Sequence, residues 1–247
     1  MRLSVAALVV AVVMLSACGG RLVKKQYEYE EEMYLALDGS AQLNVHASMA
    51  SLVALRGADL PVDPRARVDR EAVRALFAAP GVEVSTPTFS RRDGRRFVHV
   101  RVEVADVRQL QRAALLAWST YRLERHGDTF EYRQLVGSSA GKAVDGIQWT
   151  GHELVAFRMH LPSRVDDHNA PSRRTERGNI LEWEQPLADR LNGQPLQIEV
   201  RMEPETILYT TLLLFGATVA AAAAAFAMVI WWAARRGGDP EMAESRS

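Results

Sequence analysis

The segment from Gly137 to Gly141 has the spacing G-x-S-x-G, which places a nucleophilic serine, Ser139, between two glycines. Asp145 and His152 follow in the chain order of a hydrolase triad, so the pattern could suit acyl transfer by an activated hydroxyl. A nucleophile elbow needs a strand before the serine and a helix after it. Asp145 and Gly146 stand where that helix would run. We therefore predict a flexible loop here, no catalytic residue, and a protein that is not an enzyme.

Metal chemistry would need histidines or carboxylates that lie close together. His152 and His160 are predicted on one strand, about 26 Å apart at 3.3 Å per residue, so they cannot share an ion without a bulge. Asp166, Asp167 and His168 could ligate a divalent cation, although a solvated turn accounts for such a cluster better. The sequence predicts no metal site and no cofactor.

The chain's only cysteine, Cys18, has chemistry of a different kind. Positions 15–18 read Leu-Ser-Ala-Cys, the pattern of the bacterial lipobox, and a charged start and a short apolar run precede them. In such a motif the thiol forms a thioether to a diacylglyceryl group and the chain is cut just before it. The apolar run is too short to cross a hydrocarbon core of about 30 Å. We therefore predict a lipoprotein signal peptide over 1–17, lipidation of Cys18 and a leader over 18–26.

A second membrane anchor is predicted near the C-terminus. Ile207 to Trp232 carries no charged residue, and about 20 residues at 1.5 Å each already cross the hydrocarbon core. Aromatic rings suit the two interfaces, and the arginines that follow place the C-terminus in the cytoplasm by the positive-inside rule. The residues concerned are Tyr209, Trp231, Trp232, Arg235 and Arg236. We predict a transmembrane helix over 206–232 and a cytoplasmic tail over 233–247.

Both anchors predict the same location. Lipidated Cys18 must lie outside the cell, and the helix orientation puts residues 27–205 on that side too. Helical spans belong to the cytoplasmic membrane, so we expect a bacterial cytoplasmic-membrane protein with an extracytoplasmic main domain. Gly216, Ala220 and Ala224 recur every four residues and could pack against a partner helix or a second copy; the alternative is a span that is merely rich in alanine.

Composition excludes several classes of function. The 30 basic and 30 acidic side chains balance, so there is no electrostatic footprint for nucleic acid. A single cysteine excludes an internal disulfide framework and a cysteine-based zinc site.

Within residues 27–205, apolar and polar residues alternate in the manner of antiparallel strands. Hairpin turns are predicted at Asp38-Gly39, Asp93-Gly94 and Gly127-Asp128. The predicted strands are Tyr27–Leu37, Ala41–Met49, Val82–Phe89, Phe97–Val104, Tyr121–Arg125, Thr129–Val136, Leu154–Leu161, Ile180–Trp183 and Leu196–Met202. Asp69 could cap a helix over Arg70–Ala79, and Asp106 one over Val107–Trp118. We predict an α+β fold: a curved, largely antiparallel, partly barrel-like sheet with two helices packed on it.

Four arginines, Arg91, Arg92, Arg95 and Arg96, flank the Asp93-Gly94 turn. Together they could contact anionic lipid head groups at the membrane surface. The alternative is a charged turn that keeps an exposed hairpin soluble.

The last third of the domain resembles the LppM-type lipoproteins. The resemblance is carried by Phe157–Val165, by His168-Asn169-Ala170 and by Gly178–Trp183, and the layout of lipobox, α+β domain and C-terminal helix is similar. Ser163 and Ala170 stand where glycines are usual, and Pro171–Arg177 looks like an insertion. The resemblance implies a domain similar to lipid-binding folds. The expected function is therefore a non-enzymatic envelope lipoprotein that binds lipid or another amphiphile, or alternatively a structural or scaffolding partner of another envelope membrane protein.

Overall fold

A computed structural model describes residues 25–171 and 179–236. The predicted signal peptide, Cys18, Gly178 and the tail beyond residue 236 lie outside them. The strands are β1 (Gln26–Leu35), β2 (Ala41–Ser48), β3 (Val82–Val84), β4 (Thr88–Arg92), β5 (Arg95–Val104), β6 (Ser119–His126), β7 (Thr129–Val136), β8 (Glu153–His160), β9 (Ser163–His168), β10 (Ile180–Pro186) and β11 (Leu196–Thr206). The helices are α1 (Met49–Arg56), α2 (Arg70–Phe77), a 3-10 helix (Val107–Arg112), α3 (Leu187–Leu191) and α4 (Ile207–Arg236).

The strands form two open sheets, which confirms the α+β class. The first sheet has the order β10-β8-β1-β2-β5-β3, with β4 on the same side of β5 as β3, and the second has the order β6-β7-β11-β9. Strands β1 and β8 run parallel, and the other pairs are antiparallel. The expected partly barrel-like closure is wrong. The chain changes sheet between β8 and β9, at Pro162, whose missing N–H ends the β8 ladder.

The structure confirms all three predicted hairpins. They could be predicted because the conformation of a turn depends on the residues within it. Asp93 and Gly94 both take a positive φ, 51° and 72°, as a two-residue type I′ turn between β4 and β5 requires. The β1–β2 and β6–β7 turns likewise have their glycines, Gly39 and Gly127, in the left-handed region.

The helices differ from the prediction where tertiary contacts determine which segment is helical and where it ends. Helix α1 was not predicted: nearly all of its residues are buried, so it has no polar face and no 3.6-residue pattern. The helix expected over Val107–Trp118 is a 3-10 helix that ends at Arg112. Its continuation is a series of three-residue turns, in which the N–H groups of Ala113, Leu116 and Ser119 donate to the carbonyl three residues before.

Two further elements, β9 and α3, were also missed. Asp166, Asp167 and His168 belong to β9 and do not form the expected turn. Strand β9 is the edge of the second sheet and is mostly exposed, so its residues show little apolar alternation.

One core lies between the sheets and under α1. Inward-facing side chains of the first sheet meet those of the second sheet, and α1 adds Leu52 and Leu55. The largest buried side chains include Tyr29, Tyr121, Tyr132, Phe157 and Trp183. Trp183 lies opposite Phe157 on the neighbouring strand and is 1% exposed, which confirms its predicted place in the core. Fully burying such a side chain stabilises the fold by ~1.5–3 kcal/mol.

Helix α4 differs from every other element. The stretch Thr211–Arg235 has a mean hydropathy of 2.3 and none of its most apolar window is buried. An exposed apolar helix of this length is compatible with a membrane anchor.

Candidate functional site

The four arginines of the β4–β5 hairpin do not form one exposed cluster. Arg95 is largely buried: its Nη1 lies 2.7 Å from Glu28 and its Nη2 3.3 Å from Glu153, and its guanidinium lies 4.7 Å from the ring centroid of Trp149. Glu153 also accepts hydrogen bonds of 2.9 Å from the N–H groups of Thr150 and Gly151. Arg95 therefore neutralises two buried carboxylates and is not available to a lipid head group.

Arg96 and Arg92 also make contacts within the domain. Arg96 is 8% exposed and donates to the carbonyl oxygens of Ala66 and Pro64, which holds that loop against the hairpin. Arg92 donates to the carbonyl oxygen of Tyr27 and stacks over the ring of Phe97. Only Arg91 of the four is exposed without such a contact among the described residues, so head-group contact stays a prediction for Arg91 alone.

The loop held by Arg96 forms one wall of a cleft of about 410 Å³ beside the hairpin, which we call the arginine cleft. It is lined by Ala66, Val68, Arg70, Phe89, Ser90, Arg91 and Arg96. Arg70 lies 5.8 Å from the ring centroid of Phe89, so charged and apolar groups alternate along the lining. Such a surface can take a molecule with an anionic and an apolar part.

Ser90 also lines a second, smaller pocket of about 120 Å³ on the outer face of the first sheet. We call it the histidine pocket; its lining residues are Tyr27, Glu30, His46, Ser90, Arg92, Phe97 and His99. His46 on β2 lies directly opposite His99 on β5, and their Nδ1 atoms are 2.8 Å apart. The Nε2 of His99 lies 2.7 Å from Ser90 Oγ. A continuous hydrogen-bonded chain therefore joins one hydroxyl to two imidazoles.

The surroundings favour the neutral form of His99. Burial lowers the pKa of His99 below its usual 6.5, and the neighbouring His46 and Arg92 lower it further. A neutral imidazole can accept a proton from Ser90 at neutral pH.

No protein-family model matches the chain, and no curated protein matches it. Among solved structures, a similar fold is the NMR structure of the folded domain of LppM from Mycobacterium tuberculosis. It is 13% identical, with a TM-score of 0.39, over 74% of this chain and 94% of that domain. These values describe a weak likeness of fold. Membership of the LppM-type family stays a prediction from the sequence motif.

The residues of that motif join the two sheets. The side-chain oxygen of Asn169 accepts hydrogen bonds from Trp183 Nε1 on β10, at 2.9 Å, and from the N–H of Glu199 on β11, at 3.0 Å. Ser163, in place of the usual glycine, is buried and donates to the carbonyl oxygen of Glu203 at 2.7 Å. These contacts are structural.

The G-x-S-x-G segment is the predicted loop. Residues 137–144 have no regular secondary structure, so no helix follows Ser139 and no nucleophile elbow forms. The loop is held to α1 by hydrogen bonds from the N–H of Ala140 to Leu55 O, at 2.7 Å, and from the N–H of Lys142 to Ala54 O, at 3.1 Å. Asp145 and His152 are exposed.

The other predicted sites are placed as follows. Within residues 25–171 and 179–236, no group of three or more histidine, cysteine or acidic side chains is arranged to hold a metal ion. His160 lies on β8, where its Nε2 is 2.9 Å from Glu32 and its ring stacks on Tyr34. On α4, Tyr209, Trp231 and Trp232 are exposed, and Arg235 lies 4.0 Å over the Trp231 ring. Gly216, Ala220 and Ala224 are exposed on the same helix.

Sequence reasoning missed the histidine pocket entirely. The available signal was strand register: the Asp38-Gly39 and Asp93-Gly94 turns set which residues of β1, β2, β4 and β5 lie side by side. The pairing of β2 with β5, which joins His46 to His99, crosses a segment that contains two helices and is not specified by either turn.

Proposed function

We propose that this chain is a membrane-anchored extracytoplasmic protein that binds lipid or another amphiphile in the bacterial cell envelope. The observation that carries the proposal is the direct junction between β11 and α4, which meet at Thr206 and Ile207 without a linker. An apolar helix in the membrane would therefore hold the second sheet close to the bilayer surface. A domain held in this position lies within reach of lipid head groups.

The arginine cleft is the binding region that best fits this role. Phe89 and Val68 offer an apolar surface, while Arg70 and Arg91 offer exposed positive charge at its rim. An anionic amphiphile matches both parts, and each arginine near such a ligand contributes about 1 kcal/mol, or roughly five-fold in Kd.

Binding by the full-length protein in nanodiscs tests this proposal. We would titrate fluorescent anionic and zwitterionic lipid analogues against wild-type protein and against the double variant Arg70→Ala and Arg91→Ala. The double variant should weaken anionic binding by roughly 25-fold and leave zwitterionic binding little changed. Arg122→Ala, which removes an exposed charge on β6, is the matched control. Equal binding by wild type and the double variant would remove the arginine cleft from the proposal.

A scaffolding role is the second candidate, favoured by the exposed small-residue face of α4. A side chain added at Gly216 would meet no atom of this chain within 4 Å, so a neighbouring helix could approach closely there. Gly216→Leu should reduce crosslinking of the full-length protein to itself or to a partner in membranes, whereas Ala222→Leu, on the opposite side of the helix, should not. Unchanged crosslinking in Gly216→Leu would argue against this candidate.

A further inference from the structure

The histidine pocket has the arrangement of groups that activates a hydroxyl. We propose that Ser90 is the nucleophile of a hydrolytic site for carboxylic esters, with His99 as its general base and His46 as the residue that positions His99. This inference goes beyond the binding role proposed above, does not depend on it, and departs from the expectation of a non-enzymatic protein. It concerns a different serine from the one in the G-x-S-x-G segment.

The two short contacts are compatible with the tautomers that the mechanism needs. For Ser90 to donate its hydroxyl proton, His99 Nε2 must be an acceptor, at the observed 2.7 Å. His99 Nδ1 then carries the hydrogen and donates it to His46 Nδ1, at 2.8 Å. His46 is thereby the acceptor that holds the His99 ring in the correct orientation, the role that an aspartate has in the commonest triads.

The pocket size limits the acyl group. The histidine pocket, at about 120 Å³, has room for an acetyl or propionyl group, and a long acyl chain would extend beyond it. Phe97 supplies an apolar wall, and the Arg92 guanidinium, which is held by Tyr27 O and the Phe97 ring, adds positive charge to the lining.

The reaction has two halves. Ser90 Oγ attacks the ester carbonyl carbon while its proton passes to His99 Nε2; the tetrahedral intermediate then expels the alkoxide, which takes that proton, and leaves acyl-Ser90. In the second half, water attacks the acyl carbon and gives a proton to His99. The C–O bond to Ser90 breaks, Ser90 Oγ recovers the proton, and the carboxylic acid is released. Water is the only co-reactant.

The charged and titratable groups around His99 come from four strands. They are Tyr27 and Glu30 on β1, His46 on β2, and Arg92 on β4, with His99 itself on β5. Because the pKa of His99 is lowered, the base is already neutral at pH 7. Turnover should be constant around neutral pH and should fall only below the usual histidine range.

Full-length protein in detergent micelles provides the test, with p-nitrophenyl acetate as substrate and an alkyl fluorophosphonate as covalent probe. Wild-type protein should be labelled at Ser90, as located by peptide mass spectrometry, and should hydrolyse the acetate faster than the octanoate. Ser90→Ala should lose both label and turnover, and His99→Gln should lower kcat/KM about 100-fold or more. Ser139→Ala should match wild type.

Two variants of His46 separate positioning from folding. His46→Leu removes the acceptor and should reduce kcat with little change in KM, whereas His46→Asn offers an amide oxygen to His99 Nδ1 and should recover part of the loss. Circular dichroism would establish that each variant keeps its fold. Absence of label on Ser90 in wild type, or full turnover in Ser90→Ala, would overturn the proposal.

Discussion

At the scale of single residues, the core holds an acidic group. Glu31 is 2% exposed and lies among side chains of both sheets, where it accepts hydrogen bonds from the hydroxyl of Tyr29 and, at 3.5 Å, from Gln134 Nε2. Burial raises the pKa of Glu31, and it outweighs the hydrogen bonds from Tyr29 and Gln134 that lower it. The alternation of β1 places Glu31 beside Tyr29 and Met33, so this burial could be predicted.

A raised pKa makes the stability of the fold depend on pH. The folded chain holds the Glu31 proton more tightly than the unfolded chain, so the contribution of Glu31 to stability is fully present below the unfolded pKa, near 4.5, and is lost as pH rises through the folded pKa. Glu31→Gln should remove this decline. It should raise the free energy of unfolding relative to wild type, and by more at pH 7 than at pH 5.

Urea unfolding of the full-length protein at several pH values measures this effect. Glu124→Gln, at an exposed position on β6, is the matched control and should change stability equally little at every pH. A gain in Glu31→Gln that is independent of pH would contradict the explanation.

Arg95 provides a second prediction at this scale. Replacing Arg95 by methionine keeps much of its apolar stem but leaves Glu28 and Glu153 buried without their shared cation. We expect a loss of about 3–5 kcal/mol in unfolding free energy. Arg91→Met, at the exposed position on the same hairpin, should change it by less than about 0.5 kcal/mol. Similar losses in the two variants, measured by denaturant unfolding, would show that the Arg95 ion pairs are not what stabilises this corner.

At the scale of elements, local signals succeed where an element has its own caps or turns. Asp69 caps α2 as predicted: its side-chain oxygen accepts from the N–H of Glu71 at 2.9 Å and from that of Ala72 at 3.4 Å. Helix α1 is also capped, by Ser48, whose hydroxyl accepts from the N–H of Ser51 at 2.9 Å. The predicted strand Ala41–Met49 included this cap, so the start of α1 was not recognised.

Asp69→Ala should lower the free energy of unfolding by about 1 kcal/mol, because two N–H groups of the first turn lose their acceptor. Asp69→Asn retains the acceptor oxygen and should recover most of the loss. Thermal unfolding of both variants distinguishes capping from a general effect of charge, since an equal loss in Asp69→Asn would indicate charge.

At the scale of the whole molecule, one core joins two sheets, and the second sheet continues into the apolar helix. The proposed topology places the β6–β7 hairpin outside the cell and the C-terminal tail inside. A cysteine introduced at either location reports on which side of the membrane that location lies. Glu124→Cys should react with a membrane-impermeant maleimide in intact cells, whereas Ser245→Cys should react only after the cells are permeabilised.

Cys18 is the chain's only native cysteine, so wild-type protein supplies the background. If Cys18 is lipidated, its thiol is blocked and wild type should not react under either condition; intact-mass analysis should show the diacylglyceryl addition. Reaction of Ser245→Cys in intact cells would reverse the proposed orientation.

The predictions that the structure confirms are those that depend on neighbouring residues. The three hairpin turns, the Asp69 cap and the apolar helix after Ile207 each follow from a few consecutive side chains. Helix α1 and strand β9 could not be found in this way, because a helix buried on all sides and an exposed edge strand both lack the periodicity that marks such elements. The elements that were missed are therefore those whose uniform burial or exposure leaves no alternation of apolar and polar residues in the sequence.

The amino-acid sequence alone determined the α+β class, the hairpins and a helix long enough to span a membrane, because these follow from local sterics and apolar periodicity. Only the tertiary structure decided which arginines of the β4–β5 hairpin are buried and which two histidines meet. Arg95 finds Glu28 and Glu153, and His46 finds His99, through the pairing of strands that are far apart in the chain. Such pairing depends on how both faces of every strand are buried at once, and no single segment contains that information.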